Sequence, residues 1–230
     1  VLERMKYNMK VNETIIKLGR HTLIYGDATK KELYDLIPKV DLLLTDPPYN
    51  VNYQGGSRNK RRNLLNDNLK GKYKKFVFNF LENTHEIMKA GAPYYIFCAG
   101  TEIGTYTDVL TKLDYYQSSG LVWVKNHFVL SWADYKAKHE HILYGWKKGE
   151  KHKFYGAKNN TTILNFPKPQ RSKHHPTMKP RMLIRELILN STKENDTVLD
   201  VFGGSGNTLL EAEALKNIGN DFFSAGYKRM

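Results

Sequence analysis

An uninterrupted apolar run, Val40-Asp41-Leu42-Leu43-Leu44-Thr45, is stopped by Asp46-Pro47-Pro48-Tyr49-Asn50, and this junction constrains the fold more than any other stretch. A short branched run without polar alternation suits a strand covered on both faces, as in the interior of a parallel sheet. The two prolines then end it. Each fixes φ and lacks an N–H, so the ladder cannot continue and nearby carbonyls point outward without partners. An acid, two stiff residues and an aromatic ring thus arrive at the carboxyl end of an internal strand, where open α/β sheets bind ligands. The Asp46 carboxylate and the Pro47 carbonyl are two acceptors suited to the two hydrogens of an –NH2 group, and Tyr49 offers a flat face for an aromatic ring. Pro47-Pro48 alone would fit an ordinary stiffened turn.

A second run repeats the pattern. Asp196-Thr197-Val198-Leu199-Asp200-Val201 reads as a buried strand, Phe202-Gly203-Gly204-Ser205-Gly206 as a glycine-rich turn, and Thr208–Leu215 as a helix. Glycines permit φ > 0 and let a ligand lie against bare backbone, while the helix start presents free N–H groups. No Gly-Lys-Ser/Thr follows, so this is not a phosphate-cradling loop of the Walker type; a neutral or cationic adenosine cofactor fits better.

The remaining chain reads as alternating strands and helices. Strands are expected at Thr22–Tyr25, Tyr94–Cys98, Leu121–Val124, Ile142–Trp146 and Val198–Val201, and helices at Lys30–Ile37, Tyr73–Lys89 (capped by Gly91), Thr101–Leu113 and Arg181–Asn190. That alternation predicts an α/β fold, a mostly parallel sheet with helices on both faces. Residues 53–75 read as a polar loop, and 126–174 as an irregular, aromatic and basic stretch. A length of 230 residues suits one domain. Lys and Arg number 36 against 23 acids, a net charge of +13 that favours a polyanionic partner. The single cysteine, Cys98, excludes an internal disulfide framework, fits a reducing cytoplasm and reads as a small core residue. No apolar stretch is long enough to cross a bilayer, and no signal-peptide pattern opens the chain. His139-Glu140-His141 and His174-His175 lack a recognisable third ligand, so no metal is assigned.

Taken in order, the two runs resemble those of the beta group of amino-methylating DNA methyltransferases, and His175-Pro176-Thr177-Met178-Lys179-Pro180 is similar to a third signature of that family. Further matching pieces are Gly26-Asp27-Ala28, Val122–Asn126 and His139–Trp146, and the wording is nearest to phage and prophage enzymes. The resemblance implies a Rossmann-like, S-adenosylmethionine-dependent methyltransferase fold in circularly permuted motif order. Residues 19–230 would form the methyltransferase domain, with 126–174 as a short target-recognition insert and 1–18 unassigned. It implies site-specific methyl transfer to adenine N6 in double-stranded DNA, with cytosine N4 as the alternative, in a bacterial or phage-infected cytoplasm, as in restriction–modification. Monomer and homodimer both stay open.

By the same resemblance, Asp46, Pro47, Pro48 and Tyr49 are the catalytic set. Asp27, Asp46, Thr177, Lys179, Asp200, Phe202, Gly203, Gly204, Ser205 and Gly206 form the cofactor set, with Thr177 and Lys179 near the methionine carboxylate and Asp27 at the adenine amino group. Asp27 also fits a turn or a helix cap. DNA contacts are expected from the basic segment holding Arg58, Lys60, Arg61 and Arg62, from a second basic segment spanning Lys147–Arg181 that includes Lys173, and from Lys125. Either segment would otherwise be a solvated face. The family's ribose-binding acid has no counterpart after the second run: Asp221 is expected to precede the strand there, so a truncated, inactive DNA-binding remnant is a further alternative.

Overall fold

A computed structural model describes residues 15–51, 69–128, 133–167 and 178–223, with the side chains of Lys70 and of residues 220–223 left aside. In chain order the elements are β1 (Ile15–Leu18), β2 (His21–Tyr25), β3 (Leu42–Thr45), α1 (Tyr73–Ile87), β4 (Pro93–Cys98), α2 (Ile103–Lys112), β5 (Tyr115–Val124), β6 (His139–Lys147), β7 (Ile163–Asn165), α3 (Arg181–Ser191), β8 (Thr197–Asp200), α4 (Asn207–Ala214) and β9 (Ile218–Phe223). The strands form one sheet in the order β1-β2-β9-β8-β3-β4-β6-β5-β7. Parallel pairings join β2 to β9, β9 to β8, β8 to β3, β3 to β4 and β5 to β7; antiparallel ones join β1 to β2, β4 to β6 and β6 to β5. The expected mostly parallel α/β sheet is therefore present.

Alternation along the central strands divides the interior into two cores. Leu43, Tyr94, Ile96 and Leu199 face one layer, where Phe76, Val77 and Phe80 of α1 and Tyr106 and Leu110 of α2 pack. Leu42, Leu44, Tyr95, Phe97, Ile142 and Val198 face the other, against Leu183, Ile184 and Leu187 of α3. This is the period-two consequence of a strand buried on both sides. At the boundary between β3 and β8 the chain departs in opposite directions: β3 leads through α1 to β4, and β8 leads through α4 to β9. Such a switch point opens a crevice at the carboxyl edge.

Several expected boundaries are corrected, each for a local reason. The helix expected to run to Lys89 stops at Ile87, because Val40 N–H bonds to the Ile87 carbonyl and Lys89 N–H to the Val40 carbonyl, pulling Met88 into extended backbone. Gly91 is therefore no helix cap; at φ +72° its missing Cβ leaves room for the Lys151 carbonyl, 2.5 Å from where a Cβ would sit. The stretch expected as a helix at Lys30–Ile37 is a 3-10 helix over Lys31–Leu36, and Ile37 is already extended ahead of Pro38. β5 begins six residues earlier than its apolar run, since its polar first half still pairs with β6 across a bulge at Gln117–Ser119. β7 is too short to be seen as a pattern. Residues 15–18, unassigned from sequence, pair antiparallel with β2. Asp221 lies inside β9, in register with Asp200, not ahead of the strand. Among the described residues no helix is long and apolar enough to cross a membrane.

Candidate active site

Because Leu42 pairs with Val198 and Leu43 with Leu199, β3 and β8 end side by side, bringing Asp46–Tyr49 against the Phe202–Gly206 turn. The two sequence runs, far apart along the chain, thus share one edge of the sheet. Asp200 joins them. Its buried carboxylate accepts from Thr45 Oγ1 (2.9 Å), from the backbone N–H of Phe202 (3.0 Å) and from Thr208 Oγ1 (2.8 Å). Burial pushes its pKa up to about 6 against those three hydrogen bonds. Asp200, placed in the cofactor set from sequence, is turned inward, where it ties β3, the turn and α4 together.

The turn itself is built on left-handed backbone: Gly204 has φ +43° and Gly206 φ +74°, and Gly206 N–H bonds to the Gly203 carbonyl at 2.7 Å. A Cβ added to Gly206 would meet no atom of the described residues within 4 Å, so among them the space beside the turn is open. Phe202 closes its floor, edge-on to Phe80 at 5.1 Å. Asn207, opening α4, donates to the Lys179 carbonyl at 2.9 Å and so couples the turn to the segment before α3.

Asp46 is about a third exposed (31% of its side chain) yet its two oxygens differ. Oδ2 accepts from Lys179 Nζ at 2.6 Å, whereas Oδ1 is buried and has no hydrogen-bond partner among the described residues. No described donor reaches the Pro47 carbonyl either, while the Pro48 carbonyl is taken by the Tyr73 hydroxyl at 2.7 Å. Tyr73 in turn meets the Tyr106 hydroxyl at 3.0 Å, which fixes the loop from the α1 side. A buried acceptor with nothing to accept is costly. The unpaired Asp46 Oδ1 and the Pro47 carbonyl are thus the two acceptors left for a donor arriving from outside.

Lys179 is the hub of a buried charge cluster. Besides Asp46 it reaches Glu140 Oε2 at 3.2 Å, and Glu140 Oε1 pairs with Lys125 at 2.7 Å. The Tyr49 hydroxyl donates to Glu140 Oε2 at 2.9 Å, and the Lys179 ammonium lies 5.3 Å from the Tyr49 ring centroid and 5.0 Å from that of Phe97. Burial works against each charge here, but neighbours decide the outcome. Burial would raise Glu140, yet Lys179 and Lys125 hold it down to about 2. Burial would lower Lys179, yet Asp46 and Glu140 carry it up to about 12. For Asp46, burial prevails over Lys179, aided by Glu140, and leaves it above the usual carboxylate range. Tyr49 is raised well above 10, first by burial and then by the two carboxylates, so it is a neutral phenol at any working pH.

The remaining expected site residues fall in different places. Asp27 is exposed and its Oδ1 accepts from Thr29 N–H and Thr29 Oγ1, both at 2.9 Å, which is a local turn of its own rather than a helix cap. Lys125, expected to contact DNA, is only 4% exposed and paired with Glu140, so it does not present a cation to a phosphate. The second basic segment also departs from expectation over its first part. Lys147 donates to the His85 and Met88 carbonyls at the end of α1, Lys148 pairs with Asp114, and Lys153 pairs with Asp41 beneath β3. These lysines hold the opposite edge of the sheet together. Thr177, Arg58, Lys60, Arg61, Arg62 and Lys173 lie outside the described residues. Glu140 lies in the family-like piece His139–Trp146 but is not among the site residues expected from sequence. Parity is the further signal: in β6 it shares a phase with Ile142, which is fully buried, so an acid there points inward.

The chain resembles known proteins over most of its length. A family model described as DNA methylase matches residues 40–222. The chain is 28% identical over 202 residues to the Type II methyltransferase M.HpaI of Haemophilus parainfluenzae, covering 78% of this chain and 62% of that protein. It is 25% identical over 250 residues to the DNA adenine methyltransferase YhdJ of Escherichia coli strain K12, covering 91% of this chain and 82% of YhdJ. The crystal structure of the M1.HpyAVI–SAM complex superposes with a TM-score of 0.66 at 26% identity, over 89% of this chain and 94% of that one. The chain spans 62 to 64% of the length of M.HpaI and two further Type II relatives.

Proposed function

The chain belongs to the N6/N4 DNA methylase family, and from that premise we propose that it is a site-specific DNA methyltransferase that modifies adenine N6. The observation that carries this reading is the pair of unsatisfied acceptors, Asp46 Oδ1 and the Pro47 carbonyl, beside the Tyr49 ring at the switch-point edge. S-adenosylmethionine, the cofactor of this family, supplies an electrophilic methyl group on a sulfonium. The open space beside Gly206 and the unpaired Asp46 oxygen are compatible with a polar adenosine ligand in this crevice, with Phe202, Gly203, Gly204, Ser205, Gly206 and Lys179 as the residues to hold it.

The chain's own groups then do the following. Asp46 Oδ1 and the Pro47 carbonyl accept the two amine hydrogens, which draws the nitrogen lone pair out of the ring system and orients it. The ion pair with Lys179 opposes protonation of Asp46 and so limits the rise that burial causes. Holding the nitrogen in line supplies much of the acceleration, and fixed acceptors stabilise the charge that develops on it. In a duplex the base must first be flipped out, and Tyr49 is its stacking partner. Cytosine N4 is the second reading, since its amine offers the same two hydrogens. The proposed setting is DNA in the cytoplasm of a bacterial or phage-infected cell.

Incubating the full chain with duplex DNA and S-adenosylmethionine, then digesting to nucleosides for mass analysis, tests the proposal. N6-methyldeoxyadenosine is expected; N4-methyldeoxycytidine would select the second reading, and no methylated nucleoside would overturn both.

A further inference from the structure

Glu140 stands outside the catalytic motif, yet its carboxylate is the point at which three functional side chains meet. Oε2 accepts from both the Tyr49 hydroxyl (2.9 Å) and the Lys179 ammonium (3.2 Å), while Oε1 is occupied by Lys125 (2.7 Å). β6 places it there from one side, the loop after β3 brings Tyr49 and Asp46 from another, and the segment before α3 brings Lys179. The side chain is only 17% exposed. Two carboxylates and two ammonium groups make the cluster neutral, with the rings of Trp123, Tyr49 and Phe97 walling it.

A ring that serves only as a stacking surface has no need of its hydroxyl. In this protein the hydroxyl donates to an acid, which anchors the far end of the ring and keeps it from swinging about its Cα–Cβ bond. The same oxygen also fixes the direction from which Lys179 approaches Asp46. We propose that Glu140 is a positioning residue for methyl transfer: it anchors the Tyr49 ring and the Lys179 ammonium in one arrangement, with Lys125 neutralising its other oxygen. This role rests on the transfer activity proposed above.

Glu140→Gln alone would strand Lys125 as a buried charge and confuse folding with function. Replacing the pair together, Lys125→Met with Glu140→Gln, avoids that, because exchanging a buried ion pair for neutral groups is often harmless to stability. The double variant is expected to melt close to the wild type while kcat falls by about tenfold or more and KM for DNA moves less than about threefold. Tyr49→Phe in the wild-type background is expected to lower kcat similarly, and to add nothing when introduced into the double variant, since residues acting as one unit are non-additive. Unchanged kcat, or losses that simply multiply, would overturn the positioning role. A second readout needs no turnover: acylation of Lys179 by acetic anhydride, followed by mass spectrometry, is expected to quicken severalfold in the double variant. If the wild-type chain methylates nothing, the transfer reading fails and the labelling result alone decides this one; an unchanged Lys179 rate then overturns it.

Discussion

Asp46 carries two chemistries on one carboxylate. Oδ2 is committed to Lys179, and Oδ1 is buried without a partner among the described residues. In the proposed reaction the Tyr49 ring beside it is a stacking surface and not a proton acceptor in its ionised form, since its phenol is held neutral. Tyr49→Ala is therefore expected to weaken DNA binding by about 1–3 kcal/mol, the worth of one base–aromatic stack, and to leave S-adenosylmethionine affinity unaltered. Fluorescence anisotropy with a labelled duplex and calorimetry with the cofactor measure the two separately. Glu140 gives the cluster a pH-dependent share of the stability. Its pKa is held near 2, below the ordinary value for glutamate, so its contribution to stability is full above about pH 4.5 and is lost as the pH falls towards 2. In acid titrations followed by circular dichroism, the Lys125→Met, Glu140→Gln variant is expected to lose less stability over that window than the wild type. A steeper loss would contradict the assignment.

Between elements, Asp200 decides how the two halves of the site meet. Thr45 at the end of β3 and Thr208 in α4 both donate to it, so a buried acid holds strand, turn and helix in one register. Thr45→Val removes one of three donors without changing shape. It is expected to cost about 1.5–3 kcal/mol, the scale of a hydrogen bond to a charged group, and a thermal melt reads it directly. Both strands and both motifs are legible in the sequence because each is a continuous apolar run followed by a turn with an unmistakable residue set. The helix ends are less so. α1 stops at Ile87 because Val40, from a distant part of the chain, captures its last carbonyl, and no local pattern announces that bond. The Glu140–Lys125–Lys179 cluster is hidden for the same reason: its members come from three separate stretches and meet only on folding.

At the scale of the molecule, charge does not map simply onto the proposed DNA-binding face. The composition, +13 overall, correctly signals a basic protein. Yet Lys147, Lys148 and Lys153 sit at the amino edge of the sheet, about 17 Å of strand away from the catalytic loop, and are engaged with protein acceptors. Counting lysines along the sequence cannot separate a lysine that neutralises a phosphate from one that caps α1. Lys148→Ala is accordingly expected to leave DNA affinity and its salt dependence unchanged. Neutralising Arg58, Lys60, Arg61 and Arg62 is expected to flatten the salt dependence by about 0.9 for every phosphate that those side chains neutralise. Filter binding across a salt series distinguishes the two. The central claim is that Asp46, at the carboxyl end of β3, grips the target amine. Methylation-aware sequencing of DNA from cells expressing the wild-type chain or Asp46→Ala measures it directly: N6-methyladenine at one defined sequence is expected with the wild type and none with the variant, whereas the same marks in both would contradict it.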